Sequence, residues 1–326
     1  MMDVAAFRSL LPQAKQRIRP SEPMALHTTF KVGGPADVLF EPSSIEEIRT
    51  AVSYARETPV PLTILGNGSN VVVSDRGIRG LVLVLGNQFA DFRVTGGRIE
   101  AQAGLQLARL SAVAMQNGLG GLEFASGIPG TVGGAVLMNA GAYEHCMADI
   151  LTEATCLTPD GSLLTLPADR LNLAYRSSVF SDGQPLAGSV ILSMVVELPE
   201  RPIDEIRQEI IELGRRRTAS QPLEWPSAGS AFKRPPGHYA GRLIADCGLK
   251  GCRVGGAEVS EKHAGFVINA ASATASDVRC LFRRVQGEVF RKTGVWLSPE
   301  VRFIGDWSAE EERDLPDCPL QDDRRV

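Results

Sequence analysis

The sequence has no apolar run close to the ~20 residues that a membrane-spanning helix needs, although 44% of its 326 residues are hydrophobic. Its charged N-terminal segment lacks the architecture of a cleavable signal peptide. The net charge is −4, from 34 basic and 38 acidic residues, and no basic stripe stands out beyond the short run Arg215–Arg217. We therefore expect a cytoplasmic protein that binds neither membranes nor nucleic acid. A monomer is also expected, although nothing in the composition argues for it.

Metal-site and disulfide patterns are also missing. No Cys-x-x-Cys pair occurs, and no histidine has the spacing of a zinc ligand, so we predict reduced thiols and no metal. The six cysteines are Cys146, Cys156, Cys247, Cys252, Cys280 and Cys318. Glycine, by contrast, is abundant, with 33 residues. Glycine permits positive φ and lets backbone approach a ligand closely, so its clustering is informative.

The length exceeds the ~100–200 residues of one ordinary domain, and strand and helix patterns alternate along the chain. Pro199 and Pro202 mark a change to a charged amphipathic helix. We predict an α+β fold with a leader over residues 1–22, a first domain over 23–198 and a second domain over 199–306. The first domain would consist of two α+β subdomains that divide near residue 88. The polar, aperiodic end, 307–326, is predicted to be disordered.

The first glycine cluster lies between two predicted strands, at 61–65 and 71–73. Its glycines would let successive backbone N–H groups point at one anion, which suits a diphosphate. No helix follows it, as a Rossmann fingerprint would require, and a tight hairpin turn is the favoured explanation of this loop when it is considered alone. The candidate cofactor-binding residues are Gly66, Asn67, Gly68, Ser69 and Asn70.

The second cluster runs from Gly127 to Gly141. Small residues there could permit close packing of a short helix, but a pyrophosphate held against backbone from both sides would explain both clusters at once. The candidate cofactor-binding residues are Gly127, Ile128, Pro129, Gly130, Thr131, Gly133, Gly134, Asn139 and Gly141.

The two loops resemble the FAD-binding domain of the vanillyl-alcohol oxidase and p-cresol methylhydroxylase type. Further motifs narrow the resemblance to the UDP-N-acetylenolpyruvoylglucosamine reductase family, in its shorter form. They occur in the family's order: Tyr175-Arg176-Ser177-Ser178, Ser227 to Pro235, Gly248-Leu249-Lys250-Gly251, Lys262 to Phe266 and Pro299-Glu300-Val301. The resemblance covers roughly residues 24–306. It implies noncovalent FAD, NADPH as hydride donor and a UDP-sugar substrate.

Reduction of an enol ether attached to a carboxylate needs a hydride, a proton and stabilisation of the negative charge in between. The resemblance places three family catalytic residues at Arg176, Ser230 and Glu300. Arg176 suits the carboxylate, Ser230 suits proton delivery, and a protonated Glu300 would assist the enol-like intermediate. Without the resemblance, the more common interpretation of these residues is an ordinary surface arginine, a locally bonded serine and an exposed glutamate at a strand start.

Substrate and NADPH both carry phosphates, so exposed cations near these motifs are candidate contacts, with an aromatic residue to pack or hydrogen bond. These candidates are Tyr175, Lys233, Arg234, Lys250 and Lys262. His263 is expected to support its own loop. Glu258 stands where the family more often has Gln. Two alternatives stay open: a flavin oxidase of the same fold, and a nonenzymatic nucleotide-binding protein.

Overall fold

The computed structural model of the chain describes residues 2–309. Most of the predicted disordered tail, 310–326, and Cys318 with it, lies outside the described residues. The α-helices of the described part are α1 (Val4–Leu10), α2 (Ile45–Glu57), α3 (Leu107–Gln116), α4 (Val132–Met138), α5 (Ile203–Ser220), α6 (Ala240–Asp246) and α7 (Ala275–Thr293).

The β-strands are short and distributed over the whole described chain. They are β1 (Ile18–Pro23), β2 (Pro35–Phe40), β3 (Leu62–Leu65), β4 (Val71–Val73), β5 (Ile78–Val84), β6 (Phe92–Thr95), β7 (Arg98–Gln102), β8 (Gly141–Ala142), β9 (His145–Cys146), β10 (Leu151–Leu157), β11 (Leu163–Pro167), β12 (Val190–Glu197), β13 (Ser227–Ser230), β14 (Arg253–Val254), β15 (Ala257–Val259), β16 (Phe266–Asn269) and β17 (Arg302–Ile304). Helices and strands are mixed throughout, as the sequence predicts.

The chain forms two compact units. The first contains Met1–Glu22, Asp37–Asn67 and Gly80–Ala219, and the second contains Pro23–Ala36, Gly68–Arg79 and the part from Ser220 onward. These units are defined by contacts and are not the same division as the predicted domains, whose boundaries stay a prediction. Residues 68–79 belong to the second unit because β4, which lies among them, pairs in parallel with β17, far away in the sequence.

The first unit contains a five-stranded sheet of order β11-β10-β12-β7-β6 and a four-stranded sheet of order β1-β2-β5-β3. The ladders of the five-stranded sheet are antiparallel. Helices α3 and α4 contribute Leu110 and Val136, both fully buried, to a core that also contains Ile99 of β7 and Met194 of β12. Burial of such side chains is the main favourable term in folding.

The segment predicted as a leader is part of the first unit. Asp3 caps α1 through its side chain, which accepts a 2.9 Å hydrogen bond from the Ala6 N–H. Phe7 of this helix is fully buried and packs edge-to-face on Phe40, with ring centroids 5.7 Å apart. A buried aromatic side chain contributes on the order of 3–5 kcal/mol when truncation to alanine is the comparison, so residues 2–22 belong to the fold.

The second unit is built on the antiparallel sheet of order β13-β16-β15-β14, with α7 among its packing partners. Helix α7 begins after Thr274, which forms a reciprocal capping box with Asp277, and it ends at Gly294, whose φ is +71°. Its apolar face supplies Val278, Phe282 and other buried residues to the core of this unit.

The ordered chain extends past the predicted limit at residue 306. The Trp307 side chain is only 8% exposed, and its Nε1–H donates to the Ile304 carbonyl at 3.1 Å. The guanidinium carbon of Arg279 lies 4.4 Å from the Trp307 ring centroid. Cation–π stacking and burial therefore fix residue 307 in the second unit, within the stretch 307–326 for which the composition had predicted disorder.

Candidate active site

The two glycine loops meet in the first unit. The side-chain amide of Asn67 donates a 2.7 Å hydrogen bond to the Pro129 carbonyl. A Cβ on Gly66 would lie 2.2 Å from Thr131 Oγ1, so only glycine leaves room for this approach. The two glycine loops, which are separate in the sequence, therefore form one continuous surface around residues 66–67 and 127–131.

Thr131 gives this surface an open hydrogen-bonding group. The residue is 3% exposed, and its Oγ1 has no hydrogen-bond partner among the described protein residues. A buried hydroxyl without a partner costs free energy unless a ligand or water satisfies it. The close glycine backbone and this hydroxyl suit the phosphate groups of a dinucleotide cofactor such as FAD, and cofactor contacts of Gly66 and Thr131 stay predictions.

The small residues of the second cluster also permit close packing of a short helix, α4. Gly133 packs on β7's neighbour Ala103, where a Cβ would lie 3.0 Å from the Ala103 Cβ. Gly134 is exposed, and its nearest atom would be Thr131 Oγ1 at 3.9 Å. The Gly130 carbonyl accepts a bond from the Leu107 N–H. Helix packing thus accounts for Gly133, and Gly134 has room beside it.

The side chains of two predicted cofactor-binding asparagines form hydrogen bonds with backbone groups of the protein. Asn70 donates from Nδ2 to the Glu300 carbonyl at 3.0 Å, within the second unit. Asn139 has a left-handed φ of +44° at the end of α4, donates to the Ala174 carbonyl and accepts from the Ala148 N–H. Both asparagines therefore position the segments that carry Glu300 and Arg176, and their cofactor contacts stay predictions.

Arg217, the last residue of the short basic run Arg215–Arg217, also lies at this surface, which the sequence did not predict. It lies half-buried near the end of α5, and burial lowers the pKa of its guanidinium. A Cβ on Gly127 would lie 2.9 Å from its Cδ and 3.1 Å from its Nη1. A cation partly withdrawn from water beside the second glycine loop strengthens the attraction of that loop for an anion.

Arg176 occupies the corner of a tight turn in the first unit. Ala174 and Ser177 exchange both backbone hydrogen bonds, which leaves Tyr175 and Arg176 at the tip. Arg176 has a φ of +55°, a strained value for a residue with a side chain. Its two Nη atoms each lie 3.5 Å from the Gly141 carbonyl, a weak contact that orients the guanidinium. Tyr175 is 58% exposed.

Ser230 is re-aimed by a β-bulge in the second unit. Strand β13 pairs Ser227 with Ile268 and Ser230 with Phe266, so three steps on one strand oppose two on the other. Gly229 supplies the left-handed φ of +78° at the bulge. Bulges of this kind commonly turn a side chain next to an active site. The Ser230 side chain is exposed at the end of its strand.

Glu300 is held on the segment next to Ser230. The Glu300 N–H donates a 2.9 Å hydrogen bond to the carbonyl of Ala231, and the Lys233 N–H donates to Ser298. The Ala231 N–H in turn donates to the carbonyl of Gly265. Glu300 itself is half-buried. The structure therefore brings together three sequence motifs that are remote in the chain and that carry Ser230, Glu300 and the Lys262–His263 pair.

The predicted phosphate-binding side chains of the second unit are exposed. They are Lys233, Arg234, Lys250 and Lys262. The Arg234 guanidinium carbon lies 4.1 Å from the ring centroid of the exposed Tyr239, within the range of a cation–π interaction. Lys262 Nζ lies 3.9 Å from a carboxylate oxygen of Glu224.

His263 serves its own loop. Its Nδ1 accepts a 3.0 Å hydrogen bond from the Gly265 N–H, and its ring packs edge-on against Phe266. Burial is the main cause of a pKa below the ordinary value of 6.5, and the positive charge of Lys250 lowers the pKa further. The imidazole is therefore neutral near pH 7, in agreement with the supporting role expected for it.

Glu258 is almost fully buried and faces Arg253 directly across the β14–β15 ladder. The two side chains form an ion pair. Opposite charges at facing positions stabilise a strand pair, whereas an unpaired carboxylate at this depth would be costly. Arg253 therefore compensates for the buried negative charge of Glu258.

Other classes of site have no support in the described residues. Within 2–309 no three or more His, Cys, Asp or Glu side chains are grouped to hold a metal ion. The same part of the chain has no helix long and apolar enough to cross a membrane. Its cysteines all have free thiols, and burial raises the pKa of Cys156 to about 11.

Comparison with known proteins identifies the two parts of the chain. Residues 36–167 match the FAD binding domain family, and residues 221–304 match the C-terminal domain of UDP-N-acetylenolpyruvoylglucosamine reductase. A reductase of that name from Agathobacter rectalis is 48% identical over 298 residues, which cover 88% of this chain and 93% of the relative. One from Syntrophomonas wolfei is 43% identical over 291 residues, or 89% and 96%.

The fold comparison agrees. The crystal structure of the reductase from Thermus caldophilus superposes with a TM-score of 0.75 at 38% identity, covering 86% of this chain and 97% of that one. The predicted fold class, an α+β FAD-binding domain followed by a C-terminal α+β domain, is confirmed. With these matches and the cofactor surface above, the chain belongs to the UDP-N-acetylenolpyruvoylglucosamine reductase family of FAD-dependent oxidoreductases.

Proposed function

We propose that this enzyme reduces the enolpyruvyl group of UDP-N-acetyl-3-O-(1-carboxyvinyl)-glucosamine to give UDP-N-acetylmuramate, a precursor of peptidoglycan, with NADPH as reductant. Bound FAD would supply the hydride chemistry, taking a hydride from NADPH and delivering one to the alkene. The observation that supports the proposal most strongly is the backbone bond between Glu300 and Ala231, which holds Glu300 on the segment next to Ser230.

Arg176 is proposed to bind the carboxylate of the enolpyruvyl group. Hydride addition to the terminal alkene carbon leaves negative charge on the neighbouring carbon and on the attached carboxylate. A guanidinium stays protonated and can engage both carboxylate oxygens, so it stabilises this charge as it develops. The turn at residues 174–177 presents the side chain of Arg176, and the weak contact with Gly141 can be exchanged for the stronger bond to an anion.

Ser230 is proposed to deliver the proton. Its hydroxyl is exposed at the bulge, where it can reach the carbon that carries the negative charge. In its protonated form, the half-buried carboxyl of Glu300 would donate a hydrogen bond to the substrate carboxylate and so favour the enol-like intermediate. Proton transfer from a positioned group typically contributes ~10²–10⁴-fold to rate.

The exposed cations of the second unit are proposed to bind diphosphate. Lys233, Arg234, Lys250 and Lys262 suit the phosphates of both the UDP-sugar and NADPH, with Tyr175 available for packing. We propose that these two molecules take turns at one site, since both must reach the same hydride carrier. NADPH and UDP-sugars are cytoplasmic metabolites, and we place the enzyme there; its monomeric state stays a prediction.

The purified protein should be yellow and should turn over NADPH catalytically only when the enolpyruvyl UDP-sugar is present, with a product two mass units heavier than the substrate. A colourless protein that binds no added FAD would contradict the flavoenzyme assignment in this chain. Rapid oxygen consumption that does not depend on the sugar would instead favour an oxidase of the same fold.

A further inference from the structure

The hairpin between β8 and β9 is strained at its tip. Gly141–Ala142 pairs with His145–Cys146, and the two connecting residues, Tyr143 and Glu144, have φ values of +54° and +69°. A two-residue turn with positive φ at both positions is normally formed by glycine or asparagine. Residues with larger side chains keep such a conformation only where surrounding contacts enforce it, and these cases cluster at functional sites.

Tyr143 makes contacts that enforce this conformation, and they reach the C-terminal part of α5. The Tyr143 hydroxyl donates a 3.1 Å hydrogen bond to the Leu213 carbonyl. The guanidinium carbon of Arg216 lies 5.5 Å from the centroid of the Tyr143 ring. One side chain at the hairpin tip therefore contacts the helix at two positions, Leu213 and Arg216, within its last two turns.

Both proposed functional surfaces of the first unit depend on the elements that Tyr143 joins. On the helix side, Arg217 lies against Gly127 of the cofactor loop, so close that any Cβ there would clash. On the hairpin side, the Gly141 carbonyl is the contact that orients both Nη atoms of Arg176. A shift of the hairpin relative to α5 would therefore move one of these two arginines or both.

We propose that Tyr143 is a positioning residue that fixes the β8–β9 hairpin to the end of α5, and so places Arg217 at the FAD loop and Arg176 at the substrate carboxylate. The role of Arg176 rests on the proposed function, whereas the role of Arg217 rests on FAD binding alone. The two consequences can therefore be measured separately.

Tyr143→Ala and Tyr143→Phe test the proposal in the full-length enzyme. Removal of the ring eliminates the hydrogen bond and the cation–π contact, so we expect Tyr143→Ala to raise the Kd for FAD by roughly tenfold. Tyr143→Phe keeps the ring over Arg216 and should change this Kd by no more than about threefold. In single-turnover measurements, the flavin of FAD-saturated Tyr143→Ala should be reoxidised by the sugar substrate more slowly than that of the wild type. The rate of its reduction by NADPH should change less.

Phe92→Ala is the matched control, because Phe92 forms a similar pair with Arg109, 5.8 Å from its ring centroid, elsewhere in the first unit. It should leave the Kd for FAD and both half-reactions unchanged. If Tyr143→Ala fails to fold, Arg216→Gln removes the same cation–π contact and should raise the Kd by about threefold.

A wild-type Kd and wild-type half-reactions in Tyr143→Ala would overturn the proposal. A fall in melting temperature alone, with flavin affinity and rates intact, would overturn it as well, because it would show a purely structural role. If the wild-type enzyme itself fails to reduce the sugar substrate, the proposed function is wrong, and the comparison of FAD affinities still decides whether Tyr143 positions Arg217.

Discussion

Asn67 and Pro129 are 62 residues apart in the chain, and the side-chain amide of one donates to the carbonyl of the other at 2.7 Å. This bond joins the two glycine loops into one surface beside the unpaired hydroxyl of Thr131. The affinity for FAD should therefore depend on how firmly the two loops are joined.

Asn67→Ala should therefore weaken FAD binding. Loss of a hydrogen bond of this kind corresponds to about 1 kcal/mol, or roughly a fivefold higher Kd. Quenching of flavin fluorescence during titration of the apoprotein measures this change directly. Asn87→Ala, at another exposed asparagine of the first unit, is the control and should bind FAD like the wild type. An unchanged Kd in Asn67→Ala would show that the loops hold their places without this bond.

Gly229→Ala should impair the step that uses Ser230. The left-handed φ of +78° at residue 229 is strained for alanine, at a cost of about 1–2 kcal/mol, and relief of that strain would straighten the bulge and turn Ser230 away. Reoxidation by the sugar substrate should slow, while reduction by NADPH stays close to the wild-type rate.

Gly287→Ala is the control for this substitution. Gly287 lies in α7 with nothing within 4 Å of an added Cβ, so alanine should be accepted there with both half-reactions intact. Wild-type reoxidation in Gly229→Ala would mean that the bulge is not needed to present Ser230.

His263 should make stability depend on pH. The folded imidazole has a pKa below 6.5 because it is buried, so the unfolded chain takes up a proton that the folded protein resists. The free energy of unfolding should thus be at its plateau above about pH 6.5 and should fall as the pH decreases below that value.

His263→Asn removes the titrating group and keeps an acceptor for the Gly265 N–H. Its midpoint of urea denaturation should fall less between pH 7.5 and pH 5.5 than that of the wild-type protein. An identical fall in both proteins would assign the pH dependence to other groups.

Much of the fold follows from local sequence signals. The pattern predicted β4 with the residues that form it, and α7 ends at Gly294 in the left-handed conformation typical of a glycine at a helix end. Remote pairing is different, since nothing local in residues 71–73 indicates a parallel partner at 302–304. The N-terminal segment was set apart because it lies outside the family motifs, yet Phe7 completes a core.

In the candidate site, too, local sequence signals were predictive and contacts between remote residues were not. Glycine clusters are local signals, and they identified the two loops that the structure joins. The roles of Arg176, Ser230 and Glu300 rested on resemblance, because single polar residues carry no local signal of their surroundings. Arg217 and Tyr143 were missed as site residues, since their importance comes from packing between α5 and segments 70 or more residues earlier.

Proton delivery by Ser230 is tested most directly by stopped-flow measurement of both half-reactions in Ser230→Ala. Ser227→Ala, on the same strand, is the control. We predict that flavin reduction by NADPH keeps its wild-type rate in Ser230→Ala, while reoxidation by the enolpyruvyl UDP-sugar slows by roughly 10²–10⁴-fold. Equal loss of both half-reactions, or reoxidation at the wild-type rate, would contradict the proton-donor role.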